Sequence, residues 1–198
     1  MSSPRLIPLS DDLIEGTAGF SVERNHLHVE YRLRSRSGEP LYVFDAVRHG
    51  AEGSGKYDRL LAYVTFEAPA TLALKRVVPR LPKYKTVTVS LVPFAHQIEG
   101  QQTCRGEIRV ASPPSEYNPY FPPEPDSDYE TVSVLELRLV LDYMPLAGVA
   151  QATPVSELAH LPLFRVQGDS RRLRHLEARS RLDRPLKARR RTGIFEAI

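Results

Sequence analysis

Between His26 and Ser35, the apolar residues Leu27, Val29, Tyr31 and Leu33 alternate with His28, Glu30, Arg32 and Arg34. A period of two belongs to a strand with one face in a core and the other in water. The same alternation runs through Thr86–Val92, where Val87, Val89 and Leu91 face away from Thr86, Thr88 and Ser90. It returns in Thr131–Tyr143, with Leu135, Leu137, Leu139, Leu141 and Tyr143 on one side and Glu136, Arg138 and Asp142 on the other. Leu41–Val47 is apolar on both faces except for Asp45, the pattern of a central strand. Ser37-Gly38-Glu39-Pro40 reads as a tight turn, so 26–35 and 41–47 are expected to form a hairpin. Leu60–Phe66, Thr71–Val78, Thr103–Val110 and Leu163–Val166 add four more strands. The fold class expected is mainly β: an antiparallel two-sheet, immunoglobulin-like sandwich of about seven or eight strands.

Two segments break this pattern. Thr153-Pro154 has a capping hydroxyl followed by proline at a first helical position, which predicts a short helix to about His160. Near Gly168 the chain changes character. Asp169–Asp183 is expected to be helical, capped by Asp169 or Ser170 and stopped by Pro185, with a thin stripe of Leu173, Leu176 and Leu182. The organisation expected is a sandwich domain over 1–168 and an Arg-rich C-terminal extension over 169–198.

Charge sharpens that division. The 198 residues carry a net charge of +3, from 27 Lys and Arg against 24 acids. Residues 169–198 hold ten of the basic residues and four of the acids, or +6, which leaves 17 against 20, or −3, for the rest. A basic tail on a mildly acidic body can fold back or reach an acidic partner. Seventeen prolines against 11 glycines disfavour long helices. A single cysteine, Cys104, excludes an internal disulfide and fits a reducing compartment. Met1–Leu9 lacks the apolar run of a secretory signal, and Val132–Ala150 is interrupted by Glu136, Arg138 and Asp142. The location expected is therefore the cytoplasm, with no membrane span.

Candidate chemistry is thin. Gly50-Ala51-Glu52-Gly53-Ser54-Gly55-Lys56-Tyr57 matches a phosphate-binding loop until Tyr57, which stands where a hydroxyl would hold magnesium. The chemistry also needs a helix directly after the lysine, whereas the stretch beyond Lys56 is β-branched and aromatic in character. His26, His28 and Glu30 share a strand face and could offer a zinc pair, but Arg32 and Arg34 on that face repel a cation. Cys104 lies between Thr103 and Arg105, with no nucleophile signature around it, and reads as a small packing residue. His49, His96, His160 and His175 fall in separate loops or element ends, and Asp126, Asp128 and Glu130 look solvated. No catalytic, cofactor or metal-binding residue is expected.

Binding is better served. Pro113–Asp128 carries six prolines interleaved with Tyr117, Tyr120 and Phe121, a combination that limits the entropy lost on docking and supplies contact area. The same segment could equally be an ordered lid over a core edge. The tail supplies Arg171, Arg172, Arg174, Arg189, Arg190 and Arg191, whose guanidinium groups suit carboxylates or phosphates. The function expected is a non-enzymatic protein-binding or accessory module, with another protein of acidic surface as partner. The alternative is a nucleic-acid-associated accessory protein with phosphate contacts from the tail, and a third is a hydrolase with a dispersed site.

Overall fold

The computed structural model describes residues 6–49, 56–67, 69–81, 83, 92–121, 128–158 and 161–192. Strands β1 (Leu6–Pro8), β2 (Ile14–Val22), β3 (His26–Ser35) and β9 (Thr103–Ala111) form an antiparallel sheet in the order β1-β2-β3-β9. A larger sheet contains β4 (Leu41–His49), β6 (Tyr63–Glu67), β7 (Thr71–Arg76), β8 (Phe94–Ile98), β10 (Tyr129–Pro145), β11 (Val149–Leu158) and β12 (Leu161–Gly168). Their order is β11-β12-β8-β4-β10-β7-β6, with β13 (Arg174–Arg191) on the other edge of β10 and β5 (Lys56–Asp58) beside β4. Short 3-10 turns at Leu146–Gly148 and Ser170–Arg172 are the helical elements among the described residues. None is long and apolar enough to cross a membrane.

The alternation in β3 and β10 places the core. Leu27, Val29, Tyr31 and Leu33 are buried, as are Leu137, Leu139, Leu141 and Tyr143. These residues join Leu72, Leu74, Leu176, Ala178, Leu186 and Ala188 in one hydrophobic cluster shared by the two sheets. The mainly β architecture therefore arises from the period-two pattern. β10 is its hub, pairing with β13 along one edge and with β7 and then β4 along the other.

Four expectations are corrected. First, β3 and β4 do not form a hairpin. Both edges of β3 are taken, by β2 and β9, while β4 pairs with β8, β10 and β5. Residues 36–40 therefore carry the chain from one sheet to the other. Second, the expected helix from Thr153 is part of β11; its proline is tolerated because β11 is an edge strand with a register shift between Pro154 and Ser156. Third, the helix expected over 169–183 shrinks to one turn at Ser170–Arg172, where Asp169 accepts the Arg171 N–H at 3.0 Å. From Arg174 the chain is an 18-residue strand. Leu176 and Ala178 face the core, and after a bulge at Leu182–Pro185, opposite Leu135, Leu186 and Ala188 do the same. Fourth, β7 runs parallel to β10, so the larger sheet is mixed. Strands β1, β2, β5 and β8 were not expected. Of the strand expected over Thr86–Val92, all but Val92 lies outside the described residues.

Candidate functional site

The aromatic segment and the end of the Arg-rich strand come together. Arg189 N donates to Pro114 O at 2.7 Å, Glu116 N to Arg189 O at 2.9 Å, and Arg191 Nη1 to Phe121 O at 2.6 Å. Tyr117 exchanges backbone hydrogen bonds with Val64, and its ring lies against Tyr63 at 6.4 Å between centroids. Tyr120 is buried. Its ring is therefore not available as a contact surface, and this stretch covers the core edge as a lid would. Arg189 lies over the Tyr129 ring at 4.5 Å, and Arg190 Nε donates to Glu130 at 2.7 Å. Arg171 and Arg172 sit in the exposed turn at the opposite end of β13, and Arg174 pairs with Asp12. At roughly 3.3 Å per residue the two arginine groups are about 40 Å apart. They do not form one patch.

Between them the outer edge of β13 carries no further strand among the described residues. Among the described residues, only 114–116 pair along it, at Arg189. A groove of about 1060 Å³ separates its bulge from the edge of the smaller sheet, with Leu6, Phe20, Val22, Arg181, Leu182 and Arg184 on its walls. Arg181 and Arg184 are exposed, and neither forms an ion pair among the described residues.

At one end of the inter-sheet interior the aliphatic packing gives way to charge. Leu41 and Val43 of β4 face the inter-sheet core, a register shift against β8 follows Val43, and Asp45 within it is fully buried beside the inter-sheet residues Arg59 and His96. Its Oδ2 accepts from Arg59 Nε at 3.1 Å and Nη2 at 2.5 Å, and lies 2.9 Å from Nδ1 of the buried His96 on β8. Arg76 ends the inward row of β7 after Leu72 and Leu74 and is also fully buried. It donates to the Tyr31 hydroxyl at 2.7 Å and to the carbonyls of Leu61 (2.9 Å), Glu107 (2.5 Å) and Arg59. All four acceptors are neutral. Gly106 stands opposite Tyr31, and a Cβ there would lie 2.0 Å from the Tyr31 ring, so only glycine lets the ring cross β9.

The charges set each other. Burial pushes the Asp45 carboxyl up, but His96 first, then Arg59 and Arg76, outweigh it and hold it well below the carboxylate range. Burial alone would lower His96, whereas the Asp45 charge and the neighbouring Cys104 thiol take it up to about 10. His96 is therefore an imidazolium at neutral pH. Burial drives the Tyr31 phenol above its ordinary range, with Arg76 opposing. Neither His96 ring nitrogen makes an aligned hydrogen bond, and Asp45 Oδ1 has no partner among the described residues. Buried polar atoms left in this way are uncommon in native folds.

Sequence reading missed this cluster. His96 sits in β8 rather than in a loop, beside an acid 51 positions earlier, and Cys104 is its neighbour. One signal was legible: Asp45 as the lone ionisable residue of an apolar run. The other motifs lie elsewhere. His26 and His28 are on the outer face of the smaller sheet, with His28 Nε2 2.9 Å from Glu107 and His26 3.1 Å from Glu23. No group of three His, Cys, Asp or Glu among the described residues could hold a metal. Lys56 of the glycine loop opens β5, a strand paired with β4, while residues 50–55 lie outside the described residues.

No protein-family model, curated protein or solved structure matches this chain.

Proposed function

We propose that the chain is a non-enzymatic protein-binding module, a cytoplasmic immunoglobulin-like sandwich enlarged by extra strands, that captures an extended acidic segment along β13. The observation carrying this reading is the outer edge of β13, largely unpaired among the described residues, beside a groove that mixes apolar walls with Arg179, Arg181 and Arg184 against two acids, Glu136 and Asp183. An exposed strand edge offers a row of N–H and C=O groups to an added strand, and the side pockets select its residues. Arg181 and Arg184 would select acidic residues on that segment. Phosphate binding by the tail is the second reading, but several of its arginines are already engaged by Asp12, Glu130 and Glu177.

The test is titration with a peptide alternating glutamate and valine, followed by backbone NMR, beside a single-stranded oligonucleotide of equal charge. Shifts along 174–186 that weaken with salt and vanish in the Arg181→Glu/Arg184→Glu variant are expected. Peptide binding unchanged by the double charge reversal would refute the reading. Tighter oligonucleotide binding would favour the nucleic-acid alternative.

A further inference from the structure

The outward face of the smaller sheet arranges its charges like with like. Arg32 on β3 stands directly opposite Arg105 on β9, and two positions along Glu30 stands directly opposite Glu107. Opposed side chains of this kind have Cβ atoms about 4.5–5.5 Å apart, and like charges there cost stability. Exchanging Arg105 with Glu107 would match both pairs, so the sequence keeps a repulsion that one swap removes. The acids are relieved by other groups. Glu107 pairs with Arg109 and lies 2.9 Å from His28 Nε2, and Glu30 lies 3.7 Å from the same nitrogen. The two arginines are exposed, and neither forms an ion pair or hydrogen bond among the described residues.

They also stand in a concavity. Arg32 and Arg105 line a cleft of about 930 Å³, within the range of small-molecule sites. Leu6, Tyr57 and Leu60 give it apolar surface, and Tyr57 is held by stacking on Phe94 at 3.6 Å between centroids. Its third arginine is Arg59, at the border of the buried cluster in which Arg59, Arg76 and His96 outnumber Asp45. Positive charge therefore backs the cleft as well as rimming it. Asp58, its remaining acid, accepts the Leu60 N–H at 2.6 Å.

We propose that this cleft binds a small organic phosphate, with the phosphate between Arg32 and Arg105 and an aromatic body against Tyr57 and Leu60. Two guanidinium forks match both the charge and the several acceptor oxygens of a phosphate dianion. A ligand of that charge turns the mutual repulsion of the arginines into two attractions.

The test is titration of the full chain with phenyl phosphate, followed by backbone NMR, beside inorganic phosphate and phenol. Phenyl phosphate should bind with a dissociation constant of about 1 mM or tighter, shifting residues 30–32, 57–60 and 105–107. Arg32→Gln and Arg105→Gln should each weaken it about tenfold or more. Both side chains are exposed, so the variants should give the parent's spectrum elsewhere. Inorganic phosphate should bind about tenfold more weakly for want of the apolar contact, and phenol should leave these residues unshifted. Absence of these shifts at about 10 mM phenyl phosphate overturns the proposal, as does binding unchanged in the double variant. Inorganic phosphate binding as tightly as phenyl phosphate, or phenol giving the same shifts, also overturns it. None of these results bears on the β13 edge, because Arg181 and Arg184 do not line this cleft.

Discussion

The interior between the two sheets is filled in two ways. Around β10 and β13 it is aliphatic: Leu72, Leu137, Leu139, Leu176, Leu186 and Ala188 pack with no polar atom among their side chains. Around β4, β8 and the end of β7 it is ionic, with Arg76 and Asp45 sealed from solvent and Arg59 and His96 beside them. The aliphatic end is non-directional, so it tolerates swaps of similar volume. The ionic end is directional, and each partner removed strands another. The first sort of packing supplies stability, and the second fixes one arrangement of particular groups at a cost in stability.

The largest effect expected is loss of β13. Ending the chain after Leu173 removes the ladder along Tyr129–Tyr143 and uncovers the core around Leu176 and Leu186. Those two leucines alone are worth about 3–6 kcal/mol, against a total stability of about 5–15 kcal/mol for a typical domain. The truncated protein should show no cooperative thermal transition and no near-UV dichroism. A melt like that of the full chain would mean that the strand is dispensable and the aliphatic end is not the main support.

Next comes Asp45→Ala, which leaves Arg59 and His96 as buried charges without their acid. The expected loss is about 3–5 kcal/mol by urea denaturation, against less than about 1.5 kcal/mol for Leu139→Met at the aliphatic end. Equal losses would erase the distinction between the two ends.

The smallest effect concerns Asp142 on β10, which is buried and accepts the Val78 N–H at 2.9 Å. Burial raises its carboxyl to about 6, against weaker opposition from that hydrogen bond, His175 and Arg80. A carboxyl whose folded value lies above its unfolded one favours folding at low pH, and this contribution disappears as pH rises through about 6. Asp142→Asn keeps an acceptor for Val78 and carries no charge. It should therefore be more stable than the parent by about 1–3 kcal/mol at pH 8, with the gap closing below about pH 4. A gap independent of pH would show that the carboxylate is not what the site resists.

Much of the β architecture was visible in the alternation of β3 and of β10 from Leu135 on, where every second residue is a large aliphatic or a tyrosine. In β13 the same period was disguised. Ala178, Ser180 and Ala188 occupy inward or flanking positions where larger residues would have marked the strand, and the bulge at Leu182–Pro185 shifts the phase midway. Leu173, Leu176 and Leu182 then mimic helical spacing. The pairing of strands was hidden for another reason: a turn such as Ser37–Pro40 reverses a hairpin or crosses between sheets, and only the competition for the edges of β3 decides. The ionic cluster was the least legible part. Asp45, Arg59, Arg76, His96 and Cys104 span sixty positions on separate elements, and no spacing rule connects them before the sheets close.

The central place of β10 has a consequence for synthesis. The four strands of the smaller sheet are all made by Ala111, but the strands that cover their apolar face are finished only at Arg191. At about 5–20 residues per second those eighty residues take roughly 4–16 s to translate. Through that interval the cover over Leu27, Val29, Tyr31 and Leu33 lacks β10 and β13. Yield in the cell therefore depends on what shields that face during elongation as much as on the stability of the finished sandwich.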